Sequence, residues 1–453
     1  MATTPTTPRG TWNSKLGFIL AAAGSAVGLG NIWRFPTEAA SNGGAAFLIV
    51  YLICVFLIGF PIMIAELSIG RSSQKNPVGA FKGLSNNKFF PLVGLWGVLC
   101  GVMILSFYTV IAGWTFSHVF VEIFVYAGMD GVAQMLADVN NGFVNAVFAI
   151  LFMGCTIAII RGGVSEGIER ATKFMMPLLI LILIVMTVYV LFQPGASEGV
   201  TAYLYPDFSM ITTPLILAAM GQAFFSLSLG MGALITYGSY LSKNENIAEA
   251  AAYVTLSDVG IAFLAGLLIM PTMYLAQAQG VQIFDDAGNF LAGPDLIFQI
   301  LPELFAQLGG LLGLIFGVMF FLLLSIAALT STISLLEVPV SYVIDEHGIR
   351  RKQAALYVGG GILIISLIIS FNLVLIDYID FTFSVIGLPL GGLMICLFVG
   401  YFWKTKSAVD EMKQGFKNIR DSAFTRFWSI FIKFVCPVII FLILLQTIIN
   451  SLF

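Results

Sequence analysis

Residues 24–36 read GSAVGLGNIWRFP, a glycine-rich stretch from which the architecture can be predicted. It begins within a charge-free run, residues 16–33, yet carries glycines at positions 24, 28 and 30. A glycine inside a helix costs about 1 kcal/mol relative to alanine, and neighbouring Ser and Asn side chains compete for backbone hydrogen bonds. The pattern predicts a helix that unwinds near mid-membrane. Close packing of helices through small residues is the alternative for a single segment of this kind.

A second stretch, SLSLGMG at residues 226–232, interrupts another charge-free run in the same way. It lies five membrane spans further along the chain. Two glycine-interrupted spans at corresponding positions of two halves are typical of a transporter site. Since each half contains an odd number of spans, the second half enters the membrane from the opposite side. We therefore predict two inverted five-helix repeats with unwound first and sixth helices.

The number of spans follows from the distribution of charge. Only 10% of the 453 residues are charged and 59% are hydrophobic, whereas soluble domains carry about 25% charged residues. A soluble enzyme, a disordered chain and a nucleic-acid-binding protein are therefore excluded. A helix needs about 20 apolar residues to cross a bilayer. Eleven charge-free runs have this length: 16–33, 39–65, 89–121, 139–160, 174–196, 208–242, 259–284, 304–336, 353–376, 381–403 and 434–453.

The positive charges predict the orientation of these spans. Of the 21 Lys and Arg residues, 20 lie in the N-terminal tail or in gaps that share its side of the membrane. Lys and Arg mark cytoplasmic loops, so the N-terminus is predicted inside and the C-terminus outside. The predicted organisation is a cytoplasmic tail (1–11), repeat one (12–196), repeat two (197–403), and a cytoplasmic loop with span 11 (404–453).

Several motifs resemble those of the neurotransmitter:sodium symporters. The resemblance begins with residues 24–36 and continues through NGGAAF (42–47), GFP (59–61), Glu66, Gly70-Arg71, GQAFFSLS (221–228) and AALTS (327–331). Eleven spans and short tails are similar to the prokaryotic branch of that family. The resemblance implies an all-α, LeuT-type fold in a bacterial plasma (inner) membrane. It also implies sodium-coupled symport of hydrophobic or neutral L-amino acids (Leu, Ile, Val, Met, Phe, Tyr, Trp) by alternating access.

The resemblance further implies two Na⁺ sites as the cofactor requirement. The first takes Ala26, Asn31, Ser226 and either Ser257 or Asp258, with Asp258 preferred. A carboxylate at this site implies transport without chloride, because fixed negative charge replaces a bound anion. The second site takes five residues: Gly24, Val27, Ala327, Thr330 and Ser331.

The implied substrate site combines backbone around the first break with an apolar side-chain pocket. Its residues are Ala26, Gly28, Leu29, Gly30, Ile104, Tyr108, Phe225, Ser228, Met231, Ser331 and Leu335. No carboxylate stands at Gly28, so substrates that lack their own carboxylate are disfavoured. Met231 is flexible and adapts to side chains of different shape.

The resemblance also implies which residues form the outer and inner gates. Arg34 and Asp380 form the expected outer gate, whereas Arg9 and Asp345, beside Trp12 and Tyr240, form the inner gate. Glu66 is expected to accept hydrogen bonds from the unwound part of span 6. Gly167 and Pro177 mark a place where span 5 is expected to open, since proline removes a helical hydrogen bond.

The alternative is an amino-acid-gated receptor or channel on the same scaffold. An enzyme is not expected, because the spans contain no nucleophile constellation, paired carboxylates or His/Glu metal motif. The expected partners are an amino acid and the lipid bilayer. Neither a nucleic acid nor an obligate protein partner is indicated.

Overall fold

The structure is a computed structural model that describes residues 10–278, 280, 297–298, 301–302, 305, 309–415 and 423–452. These residues are overwhelmingly helical. Nine unbroken helices within them are long and apolar enough to cross a membrane. We number them as spans 2, 3, 4, 5, 7, 8, 9, 10 and 11: Ala45–Ser73, Phe90–Tyr126, Gly142–Arg161, Val164–Leu191, Ile247–Ala278, Gly310–His347, Arg351–Phe371, Val374–Phe402 and Ala423–Ser451.

Span 1 is the first of two broken spans. Its helix Lys15–Ala26 is bent by 53° relative to Gly30–Ser41. Ser14 caps the first helix by accepting a hydrogen bond from Gly17 N. The chain is non-helical from Val27 to Gly28, where the glycine-rich motif predicts the break.

Span 6 is the second broken span. Its helices Thr213–Ser226 and Ala233–Gly238 are separated by residues 227–232. Gly230 and Gly232 have φ angles of +81° and +78°, which L side chains rarely adopt. Both predicted breaks are therefore present, and together with the nine unbroken helices they account for all eleven predicted spans.

Several helices extend beyond the charge-free runs that predict them. Span 5 begins at Val164 rather than 174, span 7 at Ile247 rather than 259, and span 11 at Ala423 rather than 434. Charged side chains near helix ends can bury their stems and extend their charges to the interface. Among the described residues, the α-helices that connect the spans include Pro77–Leu84, Asp130–Ala137, Ala196–Leu204 and Thr405–Gly415.

The packing of the spans positions the two breaks at the centre of the molecule. Span 3 packs along span 8, and span 4 along span 9, so equivalent helices of the two halves lie together. Span 1 packs against span 7, and span 6 packs against span 2. The unwound segments therefore face spans 3 and 8 across the interior. The residue limits of the two repeats remain predictions.

Candidate functional site

A cavity lies between spans 1, 3, 6 and 8, next to both breaks. Ten of the eleven predicted substrate residues line it. The complete lining is Ser25, Ala26, Gly28, Gly30, Ile104, Tyr108, Phe225, Ser228, Met231, Ser331, Ser334 and Leu335.

The remaining predicted residue, Leu29, does not line the cavity but is hydrogen-bonded to Tyr108, which does. The backbone N–H of Leu29 donates to Tyr108 Oη at 2.9 Å. Gly28 leaves no space for a side chain, because a Cβ there would lie 2.2 Å from Ser331 Oγ and 2.8 Å from Tyr108 Oη. One end of the cavity therefore consists of backbone and hydroxyl groups at the helix break.

Ser25 and Ser334 line the cavity but are missing from the sequence prediction. Ser334 lies one helical turn after Ser331, and its hydroxyl donates to Ser331 O at 2.9 Å. The i, i+3 spacing on span 8 is a signal that could have identified Ser334. Ser25 immediately precedes the predicted Ala26, and its carbonyl accepts from Ser228 Oγ at 2.8 Å.

A buried polar cluster joins spans 1, 2, 6 and 7 beside the cavity. Asn31 Nδ2 donates to Ser226 Oγ at 3.0 Å and to Asp258 Oδ1 at 2.7 Å. Ser226 Oγ donates to the same carboxylate at 2.8 Å, and Tyr51 Oη lies 3.2 Å from Asp258 Oδ2. The predicted residues Asn31, Ser226 and Asp258 are thus brought together, and Tyr51 is an addition to them.

Ser257 does not take part in this cluster. Its hydroxyl donates to Tyr253 O at 2.7 Å, within its own helix. Of the two residues that the sequence leaves open, the structure therefore brings only Asp258 to Asn31 and Ser226.

The carboxylate of Asp258 has the character of a cation ligand. Asp258 is fully buried, and its contacts in the described part of the chain are with neutral groups. Buried carboxylates are normally balanced by a positive charge. The carboxylate and the Ser226 hydroxyl are hard oxygen ligands of the kind that suits Na⁺. Asn31 presents its Nδ2 to them, while its Oδ1 accepts from Gly28 N at 3.0 Å.

A second oxygen cluster joins spans 1 and 8. Thr330 Oγ1 donates to Ala327 O at 2.8 Å and lies 3.2 Å from Val27 O. Ser331 Oγ lies 3.4 Å from Val27 O. Gly24 packs directly against Thr330, since a Cβ at Gly24 would lie 3.3 Å from Thr330 Cβ. The five residues predicted for the second sodium site therefore adjoin one another, with carbonyl and hydroxyl oxygens as the available ligands.

Comparison with known proteins identifies the family. A model of the sodium:neurotransmitter symporter family matches residues 9–127 and 129–452. The chain belongs to the sodium:neurotransmitter symporter family. This confirms the family predicted from the sequence motifs, whose members are sodium-dependent transporters.

Individual relatives agree with this assignment over nearly the whole chain. The sodium-dependent transporter YhdH of Bacillus subtilis is 34% identical over 456 residues, which cover 96% of this chain and 97% of YhdH. MJ1319 of Methanocaldococcus jannaschii, also named a sodium-dependent transporter, is 33% identical over 454 residues, with 95% and 89% covered.

A solved structure confirms the fold. MhsT, the multi-hydrophobic amino acid transporter that the motifs also resemble, has been solved in complex with L-phenylalanine. It superposes with a TM-score of 0.85 at 41% identity, covering 97% of this chain and 100% of MhsT. The LeuT-type fold predicted from the sequence is therefore confirmed.

The predicted outer gate of this symporter is not formed as an ion pair. Arg34 Nε lies 3.8 Å from Glu38 Oε1, one helical turn away, and its guanidinium lies over the ring of Phe225 at 4.9 Å. No ion pair links Arg34 to Asp380 in the structure, which describes both residues. The contact with Phe225 nevertheless puts Arg34 at the edge of the cavity.

The predicted inner gate is present in part. Trp12 Nε1 donates to Tyr237 O at 3.1 Å, and the Trp12 ring contacts Tyr240 edge-on. Asp345 Oδ2 accepts from Asn76 N at 2.8 Å. The predicted partner of Asp345, Arg9, lies outside the described residues.

Tyr240 also contacts a charged pair that the sequence does not associate with the gate. Its hydroxyl donates to Glu337 Oε1 at 2.6 Å, and the carboxylate of Glu337 pairs with Arg351. Arg351 Nε in turn donates to Ile160 O at 2.9 Å. Spans 4, 6, 8 and 9 are thus linked at one end of the molecule.

The residues predicted to serve conformational change occupy distinct places. Glu66 is fully buried, and its Oε1 accepts from Gly230 N at 2.7 Å, inside the unwound segment of span 6. Gly167 lies in the π-helical turn Val164–Glu169, and Pro177 lies inside the following helix Arg170–Leu191. Span 5 is thus wound from Val164 onward in this structure.

Proposed function

We propose that this protein couples the inward movement of Na⁺ to the uptake of hydrophobic L-amino acids by alternating access. The substrates are Leu, Ile, Val, Met, Phe, Tyr and Trp. The observation that carries the proposal is the cavity at the two helix breaks, which combines a backbone end with apolar walls and adjoins two oxygen clusters.

The backbone end of the cavity suits an amino-acid carboxylate. Amides at a helix break are positioned to donate to an anion. Leu29 N and Gly30 N, with the hydroxyl of Tyr108, supply donors there, and sodium at the first cluster supplies positive charge. Because Gly28 has no space for an acidic side chain, the substrate brings the carboxylate itself.

The opposite end of the cavity suits an apolar side chain. Ile104, Phe225, Met231 and Leu335 contribute its hydrophobic surface. Methionine packs against varied shapes at low cost. MhsT, with its bound phenylalanine, supports a pocket of this chemical class.

Two sodium ions are proposed to bind with the substrate. The first is held by Ala26 O, Asn31, Ser226 and Asp258, and the second by Gly24 O, Val27 O, Ala327 O, Thr330 and Ser331. The negative charge of Asp258 makes chloride unnecessary. Arg34 and Asp380 approach each other when the outer side closes, whereas release requires opening around Trp12, Tyr240, Asp345 and Arg9.

The protein is proposed to lie in a bacterial plasma membrane with its N-terminus in the cytoplasm.

The wild-type protein, reconstituted into sealed vesicles, tests the proposed transport. With an imposed sodium gradient, labelled leucine or tryptophan should accumulate above its external concentration. A channel would only equilibrate it, so failure to concentrate either amino acid would contradict symport. Competition by all twenty amino acids then defines the substrate range.

Chloride independence has its own test. Replacing chloride by gluconate should leave uptake by the wild-type protein unchanged. Loss of uptake in gluconate would overturn this part of the proposal and leave the sodium-coupled transport intact.

A further inference from the structure

Span 10 contacts the unwound segment of span 6 backbone to backbone. Gly391 is buried in span 10, and a Cβ at this residue would lie 2.2 Å from Gly230 O. In the opposite direction, a Cβ at Gly230 would lie 2.1 Å from Leu388 O. The backbones of span 10 and of the unwound segment approach so closely because Gly391 and Gly230 carry no side chains.

The unwound segment is confined on its other sides as well. Gly230 N is held by Glu66 Oε1 at 2.7 Å. A Cβ at Gly97 of span 3 would lie 3.1 Å from the carbonyl carbon of Met231, and one at Gly232 would lie 2.7 Å from Pro77 Cγ. Spans 2, 3 and 10 and the connecting helix Pro77–Leu84 therefore contact this short stretch of backbone, whose Met231 lines the cavity.

Met231 is the connection between this backbone and the substrate. It follows Gly230 directly, is 97% buried, and lines the cavity. A shift of Gly230 away from span 10 would carry Met231 with it. Since spans 2 and 3 block the other directions, the displaced segment would yield toward the cavity and reduce its volume.

We infer that Gly391, which is not among the cavity-lining residues, is a positioning residue that sets the largest side chain the pocket accepts. Because Gly391 has no side chain, the backbone of span 6 packs directly against span 10. This position keeps Met231 further from the centre of the pocket than a shifted backbone would. This inference rests on the proposed function, because it assumes that the cavity binds amino-acid side chains.

Gly391→Ala tests the inference. The added methyl group forces one backbone to move by about 1 Å to restore normal contact. Binding of labelled tryptophan to the purified full-length protein in sodium should weaken by about tenfold or more, as expected for lost space in an apolar pocket. Binding of leucine should change by less than about threefold, because the smaller side chain tolerates a reduced pocket.

Gly361→Ala is the matched control. Gly361 lies in span 9, and a Cβ there has nothing within 4 Å. This variant should bind both amino acids as the wild type does. Equal weakening of tryptophan and leucine by Gly391→Ala, or no weakening of either, would overturn the inference. So would complete loss of sodium-dependent leucine binding, because the inferred shift is local.

A second substitution separates positioning from general packing. If Gly391 acts through Met231, shortening that side chain should restore the lost space, so Gly391→Ala/Met231→Ala should recover tryptophan affinity relative to Gly391→Ala. Additive losses in the complete double-mutant cycle would contradict this route. Absence of binding of either amino acid by the wild type would instead refute the proposed function.

Discussion

Asp258 is the residue whose chemistry most directly distinguishes the proposed first sodium site. Its buried carboxylate is surrounded by neutral donors, so an asparagine there removes the charge but keeps one oxygen that accepts from Asn31 and Ser226. We expect Asp258→Asn to raise the sodium concentration for half-maximal uptake by about tenfold, equivalent to about 1.4 kcal/mol. Sodium titration of uptake measures this change.

Ser257→Ala is the control for that experiment, since the Ser257 hydroxyl bonds to its own helix. It should leave the sodium titration unchanged. An unaltered titration for Asp258→Asn would show that the carboxylate does not help to bind sodium.

Gly28 gives a second prediction at the scale of a single residue. Its close approach to Ser331 and Tyr108 leaves no space for even a methyl group. Overpacking of this kind costs about 1–3 kcal/mol, so Gly28→Ala should weaken amino-acid binding by about tenfold or more. Equilibrium binding of leucine measures the effect. Gly154→Ala, whose added methyl contacts nothing within 4 Å, should bind normally.

The positions of individual residues were predictable where a motif fixes the backbone conformation. The partner of a charged side chain was less predictable where several acidic residues lie within its reach. Gly28, Asn31 and Ser226 lie where the motifs indicate. Arg34 lies near Glu38 instead of Asp380, because an acid one helical turn away is always within reach. A sequence pattern does not state which of two acidic partners is closer in a particular conformation.

Whole helices were predictable because lipid leaves few alternatives to helical backbone. Every charge-free run corresponds to a helix or a pair of half-helices. Their ends were not predictable by the same rule. Span 8 continues past Glu337 and Asp345 to His347, since buried hydrogen bonds satisfy Glu337 inside the protein.

Span 5 gives a prediction at the scale of one helix. Pro177 removes a hydrogen bond from the helix Arg170–Leu191, and such a proline costs a helix about 3 kcal/mol at most sites. Pro177→Ala should strengthen this helix, slow its opening near Gly167 and thereby slow release of sodium to the inside. Hydrogen exchange of residues 164–176 and the rate of uptake should both decrease, whereas leucine affinity stays unchanged.

Pro339→Ala provides the comparison, because Pro339 also lies inside a spanning helix, span 8. It should not change hydrogen exchange of residues 164–176. Normal uptake and normal sodium release by Pro177→Ala would refute a role for span 5 in release.

The orientation of the complete molecule is a prediction of the distribution of positive charge. Eleven spans and a cytoplasmic N-terminus predict an extracellular C-terminus. An epitope tag after Phe453 should be digested by protease added to intact spheroplasts, whereas a tag before Met1 should be digested only after lysis. The reverse pattern would mean that the Lys and Arg count does not set the topology.

Ser331 belongs both to the cavity and to the second oxygen cluster, so one hydroxyl borders the proposed sites of two different ligands. Such shared contact makes their binding free energies interdependent, and thermodynamic linkage is reciprocal. The factor by which sodium raises affinity for the amino acid must equal the factor by which the amino acid raises affinity for sodium. A substitution at Ser331 that reduces one factor must therefore reduce the other equally.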